Sequence, residues 1–194
     1  MIADVIKFLR DRLNAALPRD SSEGAAEDLF VYVGTNKDDS VSFKSGAVSI
    51  LLIRIEEESA LRQPDPYARM SAQGEHQKVH PEIRMNLWVL LVARFPDDYF
   101  RALQHLSDVI RYFQNHRSFN HQNSPDLKPE VSKLIFELVT PTFSEQNEIW
   151  GALRSAYQPS SLYKIKAIVF QDEEGQSVPA VKEVVQTMMQ TQPA

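Results

Sequence analysis

Between Ile83 and Phe95 the chain is apolar on both sides of a two-residue alternation: Leu87, Val89 and Leu91 on one, Trp88, Leu90 and Val92 on the other. Successive side chains of a strand point to opposite faces, so a strand of this composition has to be covered above and below. That places it centrally in a sheet and obliges the rest of the chain to supply layers on both faces. With 194 residues, of which 43% are hydrophobic and 24% charged, the chain can bury one real core.

The covering layers are legible as helices. Ile2, Val5, Ile6, Leu9, Leu13, Ala16 and Leu17 recur every three or four residues until Pro18, the pattern of an amphipathic helix with a stop. A longer helix follows the central strand, with Asp97 as the expected N-cap and Tyr99, Leu103, Leu106, Ile110 and Phe113 as its packed stripe. Ser144 is the expected cap of a shorter helix carrying Ile149, Trp150 and Leu153. Further strands are read at Leu29 to Val33, Ala47 to Ile55, Ser132 to Leu138 and Leu162 to Phe170. The order is helix, two strands, a long loop, then strand, helix, strand, helix, strand. This predicts an α/β fold: a mixed β-sheet of about five strands flanked by helices.

Two stretches do not join that pattern. From Ser59 to Pro81 periodicity vanishes and Gln, Ser, Gly and Pro dominate, which predicts a long flexible loop that orders on binding. Gln171 to Pro179 reads as an acidic linker, and beyond it Val181, Val184, Val185, Met188 and Met189 fall at helical spacing. The expected organisation is therefore an α/β domain over residues 1–170 and a linker with an amphipathic C-terminal tail helix over 171–194.

Charge and composition exclude several functions. Lys and Arg number 21 against 26 Asp and Glu, giving a net charge of -5, and no basic stripe runs along one element. Nucleic acid is not an expected partner. There is no cysteine, hence no disulfide, thiolate nucleophile or thiolate metal site. Asp4, Lys7, Arg10, Asp11 and Arg12 stand among the apolar residues of Met1 to Leu17, so no uninterrupted apolar core of a secretory signal is expected, and the longest strongly apolar run, Leu87 to Ala93, is far short of the ~20 residues that span a bilayer. The expectation is a protein made in the cytoplasm, without a membrane span.

Six scattered glycines form neither a P-loop nor a dinucleotide turn, and no Gly-x-Ser-x-Gly elbow occurs. His76 and His80 stand four apart, but Lys78 and Pro81 place them in a loop, and His105, His116 and His121 read as surface or interface groups. Glu56 and Glu58 could share a strand face, with Glu57 opposite; a solvated strand end or an ion pair with a neighbouring subunit explains them better than acid–base work. No cofactor, metal or catalytic residue is expected. The rival reading is a small-molecule-binding or hydrolytic α/β domain, which would show as a buried, perturbed carboxylate or histidine in a concave pocket.

Several segments, taken in order, resemble one family. They are the opening Met1 to Leu17; Ile55-Glu56-Glu57-Glu58-Ser59-Ala60-Leu61-Arg62 before a variable loop; Met85-Asn86-Leu87-Trp88-Val89-Leu90-Leu91-Val92-Ala93; Tyr99 to Gln114; and Asn147 to Phe170 with Ile149-Trp150, Leu153, Tyr157 and Pro159-Ser160-Ser161-Leu162-Tyr163-Lys164. Over residues 1–170 the chain resembles the cap, or tail-terminator, proteins of extracellular contractile injection systems, which are phage-tail-like particles. The resemblance implies a non-enzymatic structural protein that assembles as a ring, commonly a homo-hexamer. It implies closure of the distal end of the inner tube and contractile sheath, with tube and sheath proteins as partners, so that polymerisation stops and length is fixed. Such a particle assembles in the cytoplasm and can be released. The candidate interface residues are Glu56, Glu57, Arg62, Arg69, Val181, Val184, Val185, Met188 and Met189.

Overall fold

The computed structural model describes residues 1–17, 28–35, 41–58, 68–70, 76–78, 83–169 and 176–177. The chain divides into two compact units, residues 1–60 with 83–170, and residues 61–82 with 171–194. In chain order the elements are α1 (Ile2–Ala16), β1 (Phe30–Tyr32), β2 (Gly34–Thr35), β3 (Val41–Ser42), β4 (Ala47–Glu57), β5 (Ala68–Met70) and β6 (His76–Lys78). There follow β7 (Ile83–Arg94), α2 (Tyr99–Asn115), β8 (Ser118–Asn120), β9 (Val131–Val139), α3 (Phe143–Leu153), β10 (Ser160–Val169) and β11 (Gln176–Ser177).

The first unit is built on a six-stranded sheet in the order β1-β4-β7-β10-β9-β8. It is mixed: β1 runs parallel to β4, and the other pairings are antiparallel. The doubly apolar β7 lies inside it, with Leu90 opposite Leu51 on one side and Leu162 on the other. Its two side-chain sets part as the sequence requires. Leu87, Val89 and Leu91 join Val5, Leu9 and Leu13 of α1 and Leu106, Val109 and Phe113 of α2 in the larger core. Leu90 and Val92 join Phe43, Leu162 and Trp150 of α3 in the smaller one. Two helices thus cover one face and α3 part of the other.

Local chemistry sets the joints. The Asn14 side chain donates to the Phe30 carbonyl and accepts from the Phe30 N–H, both at 2.9 Å, so α1 satisfies the backbone of the edge strand β1. Gly46, at φ 70°, takes the left-handed conformation that a tight turn into β4 requires, and its N–H reaches the Arg94 carbonyl at 2.7 Å.

The structure departs from the sequence reading at several points. The main sheet has six strands because β8 adds a short edge. The cap of α2 is Asp98, accepting from the Arg101 N–H at 2.9 Å, in place of Asp97. That of α3 is Thr142, in a reciprocal capping box with Glu145, in place of Ser144. The buried stripe of α2 is Ala102, Leu106, Val109 and Phe113, while Tyr99 and Leu103 are exposed.

In the second unit β5, β6 and β11 form a small antiparallel sheet in the order β11-β6-β5. The segment read as a long loop therefore holds two short strands. The expected tail helix, Val181 to Met189, lies outside the described residues.

Candidate functional site

The candidate residues divide between places. Glu56 and Glu57 stand at the end of β4 on opposite faces, opposite Asn86 and Met85 of β7. Arg69 is in β5, opposite Gln77. Arg62, Val181, Val184, Val185, Met188 and Met189 lie outside the described residues, and Glu56 and Glu57, on opposite faces, share no surface.

Glu56 belongs to a ladder on the face that carries α3. Arg54, Trp88, Lys164 and Glu137 are successive cross-strand neighbours over four strands. The Trp88 indole N–H donates to Glu56 at 3.1 Å, and Arg54 pairs with the same carboxylate at 3.6 Å. Arg54 and Lys164 lie 5.8 and 5.6 Å from the centre of the Trp88 ring. Lys166 grips Glu137 at 2.6 Å, and Asn86 donates to Glu58 at 3.1 Å. Exposed pairs of this kind contribute little stability, ~0–1 kcal/mol each. They do give the sheet an ordered, half-exposed surface of alternating sign, suited to register with a charged partner.

The sequence reading missed a second feature, an apolar edge where β9 turns into α3. Leu138 is 50% and Phe143 88% exposed, and on α2 Tyr99, Phe100 and Leu103 are exposed as well. One concavity of ≈ 500 Å3 lies between α2 and β9, lined by Ile110, Phe113, Phe136 and Leu138 together with the charged Arg117 and Glu137. Another of ≈ 490 Å3 is lined by Leu138, Val139, Pro141, Phe143, Ile149 and neighbours. The available signal was Phe143 itself, an aromatic at the start of a capped helix with no role in the core.

Titration behaviour follows from these surroundings. Hydrogen bonds from the Thr142 backbone and hydroxyl hold the Glu145 carboxyl below the ordinary range. Asp4 is lowered by its bond to the N-terminal amine, and Arg10 raised by Asp11. Burial pushes the Tyr163 phenol up to about 12. These carboxylates are exposed, at a helix cap and a chain terminus, not in a catalytic pocket. Among the described histidines, His105 packs on Phe95 at 5.0 Å and His116 on Tyr112 at 4.6 Å. Among the described residues no group of three or more His, Cys, Asp or Glu is placed to hold a metal, and no helix is long and apolar enough to cross a membrane. The arrangement presents a polar ladder and an apolar edge at the surface.

Residues 4–183 match the family described as the Pvc16 N-terminal domain. The fold is similar to that of the PVC sheath/tube terminator of an extracellular contractile injection system, solved in the extended state: TM-score 0.58, 21% identity, covering 98% of this chain and 64% of that one. It is similar also to the tube-terminating cap of the anti-feeding prophage, with TM-score 0.58 and 18% identity over 97% of this chain and 62% of that one. The chain thus spans somewhat under two thirds of the length of these structures. No curated protein matches it by sequence.

Proposed function

The chain belongs to the Pvc16 N-terminal domain family, and we propose that it is a structural terminator that caps the tube and sheath of a phage-tail-like contractile injection system. The observation that carries this reading is the family match over residues 4–183, supported by a fold shared with two tube-terminating proteins. A terminator needs a face matched to the polymer end and lateral contacts that close into a ring instead of extending. The half-exposed charge ladder and the apolar edge are two distinct surfaces of that kind. The protein acts without catalysis, as a homo-hexameric ring bound to tube and sheath proteins, assembled in the cytoplasm into a particle that can leave the cell. The 171–194 segment, with its apolar stripe, and Arg62 and Arg69 are further gripping elements.

The test is negative-stain imaging of particles from cells with and without the gene, scored for tube and sheath length. Loss of uniform length or uncapped ends on deletion is the expected outcome. Capped particles of unaltered length would overturn the proposal.

A further inference from the structure

We propose that the exposed ring of Tyr99 in one copy of the chain inserts into the uncharged cavity beside Ser161 in a second copy. This cavity, of ≈ 490 Å3, lies where β9 leaves β10 and the chain turns into α3. Leu138, Val139, Phe143 and Ile149 are among its walls, and no charged residue lines it. Ser161 lines it as well; it is 7% exposed, and its Oγ has no hydrogen-bond partner. A buried hydroxyl left without a partner is costly. The matching occupant is therefore apolar over most of its surface, uncharged, and ends in one group that can donate or accept a hydrogen bond. A phenol has that chemistry.

The chain itself supplies such a phenol. Among the described residues three tyrosines are exposed, and two of them are engaged: Arg10 lies over Tyr32 at 4.7 Å, and Tyr157 meets Trp150 edge-on at 5.6 Å. Tyr99, 62% exposed, has no such partner among the described residues. With the exposed Phe100 beside it and Leu103 one turn on, it forms an apolar knob at the start of α2. A copy cannot fill its own cavity. Ile110, which lines the cavity, stands eleven residues further along the same helix, about 16 Å at 1.5 Å per residue. Charges stay at the margins: of those flanking Tyr99, Asp98 caps α2 and Arg101 lies over Phe95, leaving Asp97 in solvent, while beside the cavity Glu145 is bonded to Thr142. Knob and cavity are two separate surfaces of one chain, so their contact is head-to-tail, the kind that closes a ring. The inference rests on the terminator reading and names the surfaces by which its ring closes.

The test replaces Tyr99 in the full chain with the photo-crosslinking residue p-benzoylphenylalanine and irradiates purified particles. The expected product has the mass of two copies, joined between position 99 of one and the segment 138–162 of the other. Adducts only to other proteins or to other parts of the chain, or none in particles that contain it, would overturn this contact and leave the terminator reading standing. Particles from which the unsubstituted chain is absent would instead sink that reading, and this inference with it. A paired measurement uses Tyr99→Phe and Ser161→Ala, which remove the two ends of the hydrogen bond and keep the apolar contact. Each should raise the fraction of wrong-length particles several-fold, and the double variant no further. All three should melt within a few degrees of the unsubstituted chain. Effects that multiply in the double variant, or unaltered lengths for Tyr99→Phe, would overturn the pairing of Tyr99 with Ser161.

Discussion

Truncating Phe113 to alanine should lower the melting midpoint of the protein by about 8–16 °C. Its ring stacks on Phe136 at 4.5 Å and 10°, and lies 4.9 Å from Tyr163. Phe136 in turn meets Phe119 edge-on at 5.3 Å, and Phe119 meets Phe8 at 5.4 Å. This chain of rings ties α2 to β9 and β10, and through β8 to α1. Phe113 is 3% exposed, so its removal leaves a cavity walled by other rings that cannot collapse easily. Buried Phe→Ala changes cost ~3–5 kcal/mol, and at ~2–4 °C per kcal/mol for a domain of this size, about 4 kcal/mol gives the stated shift. The assay is thermal unfolding of the full chain followed by far-ultraviolet circular dichroism. A double-mutant cycle with Phe136→Ala should add a coupling of ~1 kcal/mol from the stacked pair and shared cavity. A midpoint drop below about 3 °C, or additivity within ~0.3 kcal/mol, would refute the packing of α2 on β9 described above.

Thr142→Ala removes the α3 cap and should cost ~1 kcal/mol, with Thr142→Ser largely restoring it, by the same melts. Glu145 is held below its ordinary value, so its contribution is full above the usual Glu range, about 4.3, and is lost as pH falls through the lower folded value. Glu145→Gln should flatten that part of the acid profile. Tyr163 is raised to about 12 by burial, so its contribution is full below the ordinary Tyr value, about 10, and declines as pH rises from there to the folded value; Tyr163→Phe should abolish that decline in alkaline melts. Deleting residues 171–194 should weaken capping while leaving the melting of the six-stranded unit intact, and normal-length particles from that deletion would refute a role for the tail.

The sheet was legible because its signal is redundant: β7 is apolar on both alternating sets, which only an interior strand tolerates. The α2 helix was legible as a helix but not in its phase. It carries two neighbouring apolar stripes, and periodicity cannot say that Ala102 and Val109 approach the sheet while Tyr99 and Leu103 do not. The caps slipped to nearby residues because Asp97 and Asp98, like Thr142 and Ser144, have the same capping chemistry and differ only in backbone geometry. The three residues of β8, Ser118–Asn120, hold one apolar side chain, too little pattern to be read. Glu56 was read as a strand-end carboxylate, and its bond to Trp88 depends on cross-strand register that no local pattern encodes. The Leu138 and Phe143 edge escaped notice because exposure is a property of the fold, and Leu138 taken alone reads as one more apolar strand residue.

The most direct check on termination is where the protein sits on the particle. The chain has no cysteine, so one introduced at the exposed position Arg111 can carry a gold label, and labelled particles can be imaged by electron cryomicroscopy. Gold confined to one end of each particle, as a closed ring in averaged ends, is the expected result. Gold spread along the sheath, or absent from the particles, would contradict a terminator.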